Sequence, residues 1–292
     1  MSTIDTFNDN GVLWVRMNRP EALNAYSEAL GDDLEAAIRA ASLDDAVGAI
    51  IVTGNGPAFC AGADLTREGN VFALDETARP TFEDLDERLD DPAIVSGVRD
   101  KGGRLALAIH QCRKPIIAAI NGAAVGVGAT MTLAMDFRLA SSEARLGFVF
   151  ARLGLVPEAC STWFLPRLVG LQQALEWCLT GDLITPEEAL KAGLLRSVHA
   201  PEDLLAAAEA LARRLITGKS PVAVALTRRM LRGGLVASDP LEAHKVETLA
   251  MFHLSQGDGR EGVAAFMAKR KPAFTGQASD LGAAEAILDR LD

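Results

Sequence analysis

Apolar and polar positions alternate along this chain in two rhythms, one of period two and one near 3.6. Residues 12–17 (VLWVRM) follow the first and predict a strand, and the polar, proline-bearing NRPEALNA after them predicts a turn. Over 27–41 the apolar residues Leu30, Leu34, Ile38 and Ala41 fall at helical spacing with charges opposite, which predicts an amphipathic helix. GAIIVTG (48–54) is a short β-branched run closed by glycine, the pattern of a buried strand. PIIAAI (115–120) and FRLAS (137–141) read the same way, with a helix over 105–111. At Thr185 the order Thr-Pro-Glu-Glu is a helix start: Thr185 caps, Pro186 takes the first position, and Glu188 closes a capping box. Beyond 201 the pattern is helical, over 202–216, 221–231, 241–254 and 261–270. Strands alternating with helices, then an all-helical tail, predict an α/β fold.

Two stretches break these rhythms. NGAAVGVGAT (121–130) places Gly122, Gly126 and Gly128 between two apolar runs. Glycine permits positive φ and close backbone approach, and a glycine-rich turn that opens a helix leaves N–H groups unpaired. The stretch therefore reads as a polarising site. Its spacing is neither the dinucleotide fingerprint nor a phosphate loop. Residues 115–135 carry no charge, and about 20 apolar residues can cross a bilayer. Asn121, Thr130, Thr132 and the Asn-Gly turn interrupt the run, so a buried soluble segment is expected. NGPAFCAGADL (55–65) is a second Gly-Ala loop. After it, 65–104 is acid-rich with intermittent apolar residues, the pattern of a mobile, partly helical excursion over the surface that could lid a site.

Composition narrows the function class. At 292 residues the chain holds one large domain or two modest ones. A net charge of −10 argues against nucleic-acid binding and would resist an anionic ligand unless cations gather locally. Cys60, Cys112, Cys160 and Cys178 form no CxxC pair, and His110, His199, His244 and His253 lack partners at metal or triad spacing. No metal site or disulfide framework is expected. The polar N-terminus lacks an apolar signal core, so no membrane association and a cytoplasmic location are expected.

Five segments, NRPEALNA, IIVTGNGPAFCAGADL, KPIIAAINGAAVGVGA, LTGDLITPEEALKAGLL and REGVAAFMAKRKPAF, occur in an order that resembles the crotonase, or enoyl-CoA hydratase/isomerase, superfamily over almost the whole chain. The resemblance implies a spiral of ββα repeats over 1–200. It also implies a helical region over 201–292 that packs subunits into a homotrimer or a hexamer of paired trimers. The substrate would be an acyl-CoA thioester, with coenzyme A as part of the substrate, no permanently bound cofactor and no metal.

The same resemblance assigns an oxyanion hole to the N–H groups of Ala63 and Val127. Valine stands where the family usually has glycine, and its β-branched side chain would narrow the acyl channel or require ordinary φ. The two glutamates of the hydratases would fall at Thr130 and Phe150, where this chain has no acid, so ordinary hydration is not expected and both positions are instead expected to contact the substrate. Glu158, in GLVPEACSTW, resembles the single catalytic acid of the Δ3,Δ2-enoyl-CoA isomerases. Its apolar surroundings (Phe150, Val156, Pro157, Trp163, Phe164) should raise its pKa. Its position before a helix also suits a plain capping role. For coenzyme A the resemblance points to Ala22, Leu23, Ala61 and Leu65, and to Phe266 and Lys269 reaching a neighbouring subunit's cofactor. The family's usual basic residues are replaced by Glu21 and Leu65, which leaves Arg19, Arg67 and Lys269 as phosphate candidates. Asp64 is expected to fix its loop. Isomerisation is the leading expectation; hydration with unconventional groups and acyl-CoA binding without catalysis stay open.

Overall fold

The computed structural model describes residues 2–66, 69–234 and 239–291. The chain opens with an antiparallel pair, β1 (Ile4–Asp9) and β2 (Val12–Met17), turned at Asn10 and Gly11. Both turn residues take positive φ (45° and 88°), the conformation for which Asn-Gly is suited. α1 (Glu28–Leu43) follows, capped by the Ser27 side chain, which accepts from the Leu30 N–H, and it buries Leu30, Leu34, Ile38 and Ala41.

A strand–strand–helix unit then recurs. The first comprises β3 (Ala49–Gly54) and β4 (Ala58–Cys60), followed by α2 (Phe82–Glu87), α3 (Pro92–Gly97) and α4 (Lys101–Gln111). The second comprises β5 (Ile116–Ile120), β6 (Ala123–Val125) and α5 (Val127–Leu133). The third comprises β7 (Phe137–Ser141) and β8 (Arg145–Gly147), then α6 (Ser161–Val169) and α7 (Leu171–Thr180). β9 (Leu183–Ile184), α8 (Pro186–Lys191) and β10 (Ser197–His199) complete it. The first strand of each unit joins the sheet β1-β2-β3-β5-β7-β10, and the second joins the sheet β4-β6-β8-β9. The result is the expected spiral of ββα turns.

β3 and β5 are covered on both faces, which is why they read as continuous apolar runs. One face packs with α1 and α4. The other carries α9 (Leu204–Ile216), whose Leu204, Ala208, Leu211 and Ala212 sit on Val12, Trp14, Ile51 and Ile117. The helical segment expected from residue 201 therefore starts on the sheet itself. Among the described residues, α10 (Pro221–Gly234), α11 (Pro240–Leu254), α12 (Asp258–Met267) and α13 (Glu285–Leu291) lie beyond it, with Leu226, Ala250, Leu281, Ile287 and Leu288 in a small core of their own.

Three arginines of α10 tie these helices to the spiral. Arg228 donates to the Ile109, His110 and Cys112 carbonyls and, at 2.8 Å, to Asp136. Arg229 donates to the His110 carbonyl, and Arg232 to the Ala134 carbonyl and to Asp136. They thereby take up carbonyls at the C-terminal ends of α4 and α5. Burial alone would raise the Asp136 carboxyl, but Arg228 and Arg232 outweigh it and hold the group below its ordinary range. Residues 115–135 are β5, β6 and α5 of this core, and among the described residues no helix is long and apolar enough to cross a membrane.

Candidate active site

The two Gly-Ala loops meet at the wall of a cavity of about 610 Å³. The first loop is laced to the segment before α1. Ala61 N–H donates to the Leu23 carbonyl (3.1 Å), Tyr26 N–H to the Gly62 carbonyl (2.7 Å) and Asp64 N–H to the Tyr26 carbonyl (2.9 Å). Asp64 accepts from Arg19 (2.9 Å) and from the Thr66 hydroxyl (2.6 Å); Thr66 first, and then Arg19, hold its carboxyl below the usual range. Asp64 is thus engaged in fixing the loop, and Arg19 is spent on it.

The second loop turns at Gly126 (φ 54°, ψ −124°) into α5, with no side-chain cap on the helix start. A Cβ on Gly126 would lie 3.9 Å from Gly62 Cα, one on Gly62 3.2 Å from the Val125 carbonyl oxygen, and one on Gly128 would fall on the Cys60 carbonyl. The loops abut, and glycine is what allows it. Among the described residues no hydrogen bond takes up the N–H of Ala63 or of Val127, and both residues line the cavity. Val127 keeps an ordinary φ, and its buried side chain lies against Gly102 at the start of α4.

Glu158 reaches the cavity from the segment between β8 and α6. The next two residues, Ala159 and Cys160, have φ of 55° and 56°, a left-handed pair that turns the chain sharply into α6. Such a conformation costs roughly 1–2 kcal/mol per non-glycine residue. Part of what holds it is the Ala159 N–H, which donates to Asp100 Oδ2 at 2.8 Å. Asp100 is the cap of α4 and also accepts from the N–H groups of Gly102 (2.9 Å) and Gly103 (2.8 Å).

The Glu158 carboxyl faces both helices. Oε1 accepts from the Thr130 hydroxyl at 2.5 Å. Oε2 is buried without a donor and lies against Gly102, where a Cβ would collide with it; the Asp100 carboxyl, which accepts from the Gly102 N–H, stands on the same turn. Burial first, and then the Asp100 carboxyl, push the Glu158 pKa up to about 8, with the Thr130 hydroxyl pulling the other way. Tyr26, whose hydroxyl donates to the Lys101 carbonyl, is raised above its ordinary value chiefly by burial. Lys101 pairs with Glu28 at the same wall.

The structure thus gathers Ala61, Ala63, Asp64, Leu65, Val127, Phe150 and Glu158 around one cavity. Thr130 is fully buried behind Glu158 and does not line it, contrary to a substrate-contacting role. Ala22 and Leu23 lie behind the first loop, off the cavity wall. Phe266, on α12, and Lys269, just after it, are exposed and away from the cavity of their own chain. Arg67 lies outside the described residues. The excursion supplies Val71, Phe72, Leu74 and Val98 as apolar lining and so covers the cavity rather than wandering over unrelated surface. Asp100 is the polar residue that sequence reasoning missed; the D-K-G-G before an amphipathic helix is a cap signal that could have drawn attention to it. Among the described residues no cluster of three or more His, Cys, Asp or Glu side chains could hold a metal.

Comparison with known proteins bears on this geometry. The family model described as enoyl-CoA hydratase/isomerase matches residues 8–277. A protein of Alternaria alternata named enoyl-CoA hydratase AFT3-1 is 38% identical over 291 residues, covering 99% of this chain and 91% of its own. An Escherichia coli (strain K12) protein named 1,2-epoxyphenylacetyl-CoA isomerase is 31% identical over 269 residues, covering 92% of this chain and 97% of its own. The crystal structure of a probable enoyl-CoA hydratase/isomerase from Mycobacterium abscessus superposes with a TM-score of 0.80 at 30% identity, covering 94% of this chain and 99% of that one.

Proposed function

The chain belongs to the enoyl-CoA hydratase/isomerase family, and from that premise we propose that it shifts the double bond of an enoyl-CoA, with Glu158 as the single base. Glu158 takes a proton from C2 of a 3-enoyl thioester, and the electrons of that C–H bond delocalise through C1 onto the thioester oxygen, with the C3–C4 double bond in conjugation so that C4 also gains density. The Ala63 and Val127 N–H groups stabilise the resulting dienolate, each such donor contributing roughly 3–4 kcal/mol. Glu158 then returns the proton at C4, leaving the double bond between C2 and C3. One acid that alternates between base and acid suffices. A carboxyl held near the working pH serves both halves of that cycle.

The observation that carries this reading is the buried Glu158 carboxyl, pushed up to about 8, on the cavity that also holds the two unpartnered N–H groups. Glu158→Gln should lower 3-enoyl-CoA isomerisation by at least about 100-fold with an unchanged circular dichroism spectrum; retained turnover would refute it. A second reading, hydration, is favoured by the hydratase names of relatives such as the Alternaria protein and by Asp100 as a second carboxyl on the wall. Asp100, however, already accepts three backbone N–H groups, which leaves it poorly free to activate water. Assay of water addition to a 2-enoyl-CoA separates the two, and a protein that only binds acyl-CoA would exchange no α-protons in deuterated water. We further assign coenzyme A to the backbone near Ala22, Leu23, Ala61 and Leu65. Exposed Met251, Phe252, Val263, Phe266 and Met267 on α11 and α12 support a homotrimer in which Phe266 and Lys269 approach a neighbour's coenzyme A.

A further inference from the structure

Beside the proposed base stands a second carboxyl whose part in the reaction is unassigned. Asp100 accepts from the N–H of Ala159, the residue after Glu158, and from the N–H of Gly102, against which Glu158 Oε2 lies, and that buried oxygen receives no hydrogen from any donor. Two bare carboxylates so placed repel, whereas one proton between them turns the contact into a hydrogen bond and satisfies the orphaned oxygen. Three backbone N–H groups already meet the Asp100 oxygens, so the proton belongs on Glu158. We propose that Asp100 is a positioning residue for Glu158: in the free enzyme the two form a one-proton carboxyl pair that holds Glu158 in its protonated form against α4, and the base appears only when that proton leaves.

The other titratable groups around Glu158 do not supply the effect. Tyr26 before α1, Cys60 on β4 and Cys160 at the start of α6 are all raised by burial, Cys60 up to about 12, and so are neutral at working pH. Lys101 directs its charge to Glu28, and Arg19 directs its own to Asp64. Thr130 on α5 holds the opposite oxygen and carries no charge.

The catalytic consequence rests on Glu158 being the base, but the pair itself does not, and two measurements keep these apart. In the ligand-free full-length protein, carboxyl NMR with labelled glutamate should show one resonance, absent from Glu158→Gln, that titrates near pH 8. A titration of that resonance in the ordinary range near 4.5 overturns the pair, whatever happens to any Asp100 variant. For Asp100, Ser is the informative substitution, because it keeps an acceptor at the cap of α4 without the charge; in Asp100→Asn the amide nitrogen would oppose either the N–H of Gly102 or those of Gly103 and Ala159. Exchange of the α-protons of butyryl-CoA in deuterated water should rise with pH in the wild type and level off above about pH 8. In Asp100→Ser the inflection should fall by at least about one pH unit, so that at pH 6 the rate relative to its own plateau rises about tenfold. An unmoved inflection in folded Asp100→Ser overturns the proposal. In a protein that exchanges no protons the Glu158 base falls, and the same resonance in folded Asp100→Ser decides the pair alone: a midpoint at least about one pH unit lower supports it and an unmoved midpoint overturns it.

Discussion

Replacing Glu158 with glutamine should change how stability depends on pH, and the size of the change follows from the site. In the folded chain the carboxyl is held at about 8, against an ordinary value of 4.5. Between those values the folded state keeps a proton that the unfolded chain has released, so stability falls as pH rises. The contribution is fully present below about pH 4.5 and is lost as pH climbs through about 8. At roughly 1.4 kcal/mol per pH unit the window holds about 5 kcal/mol. Glutamine resembles the protonated acid but cannot titrate. Urea unfolding of both proteins at one fixed protein concentration, repeated from pH 5 to pH 9, isolates this group, because all other titrations cancel in the difference. The variant should gain on the wild type steadily to about pH 8 and then hold level. A difference that stays constant within about 1 kcal/mol across the range would refute the assignment of a buried, proton-holding Glu158.

Two further substitutions probe the surrounding geometry. Gly102→Ala should lower kcat for isomerisation at least about tenfold, because its methyl group collides with the Glu158 carboxylate and presses on Val127, while helix propensity alone would favour alanine; unchanged turnover would show that the carboxyl rests elsewhere. Arg228→Met should cost about 3–5 kcal/mol in urea unfolding, since Asp136 and the carbonyls at the end of α4 lose a buried partner; a loss under about 1 kcal/mol would count against the arginine closure.

What the sequence revealed and what it hid divide by range. α1, β2, β3, β5, β7 and the capping box of α8 are local patterns, with Leu30, Leu34, Ile38 and Ala41 buried where periodicity put them and Thr185 and Glu188 bonded as read. β1 is largely exposed and shows no buried run to mark it. The described residues of the excursion over 65–104 lack periodicity because most of them face solvent, and among them a few side chains turn inward to the cavity. The site follows the same rule. Its glycine loops are legible because close approach demands glycine on both strands of sequence. Asp100 is not, because its partner Ala159 lies 59 positions on. Thr130 reads as a missing acid, yet its hydroxyl holds Glu158 28 positions away, a role that emerges only when α5 and the turn before α6 are brought together.

The arginine row of α10 gives the site a place in time. Arg228 and Arg232 follow Asp136 by 92 and 96 positions, so a chain growing from its N-terminus makes both Gly-Ala loops, Asp100 and Glu158 long before it makes the residues that close α4 and α5 from behind. Until then Asp136 lacks the two guanidinium groups of α10, and the carbonyls of Ile109, His110, Cys112 and Ala134 lack the donors that α10 supplies. Early domain collapse during synthesis can therefore produce the spiral but not the finished wall of its cavity. On the proposed reading, competence is expected only with the last quarter of the chain, and prematurely terminated copies would hold Glu158, Asp100 and both Gly-Ala loops without the frame that keeps them in register.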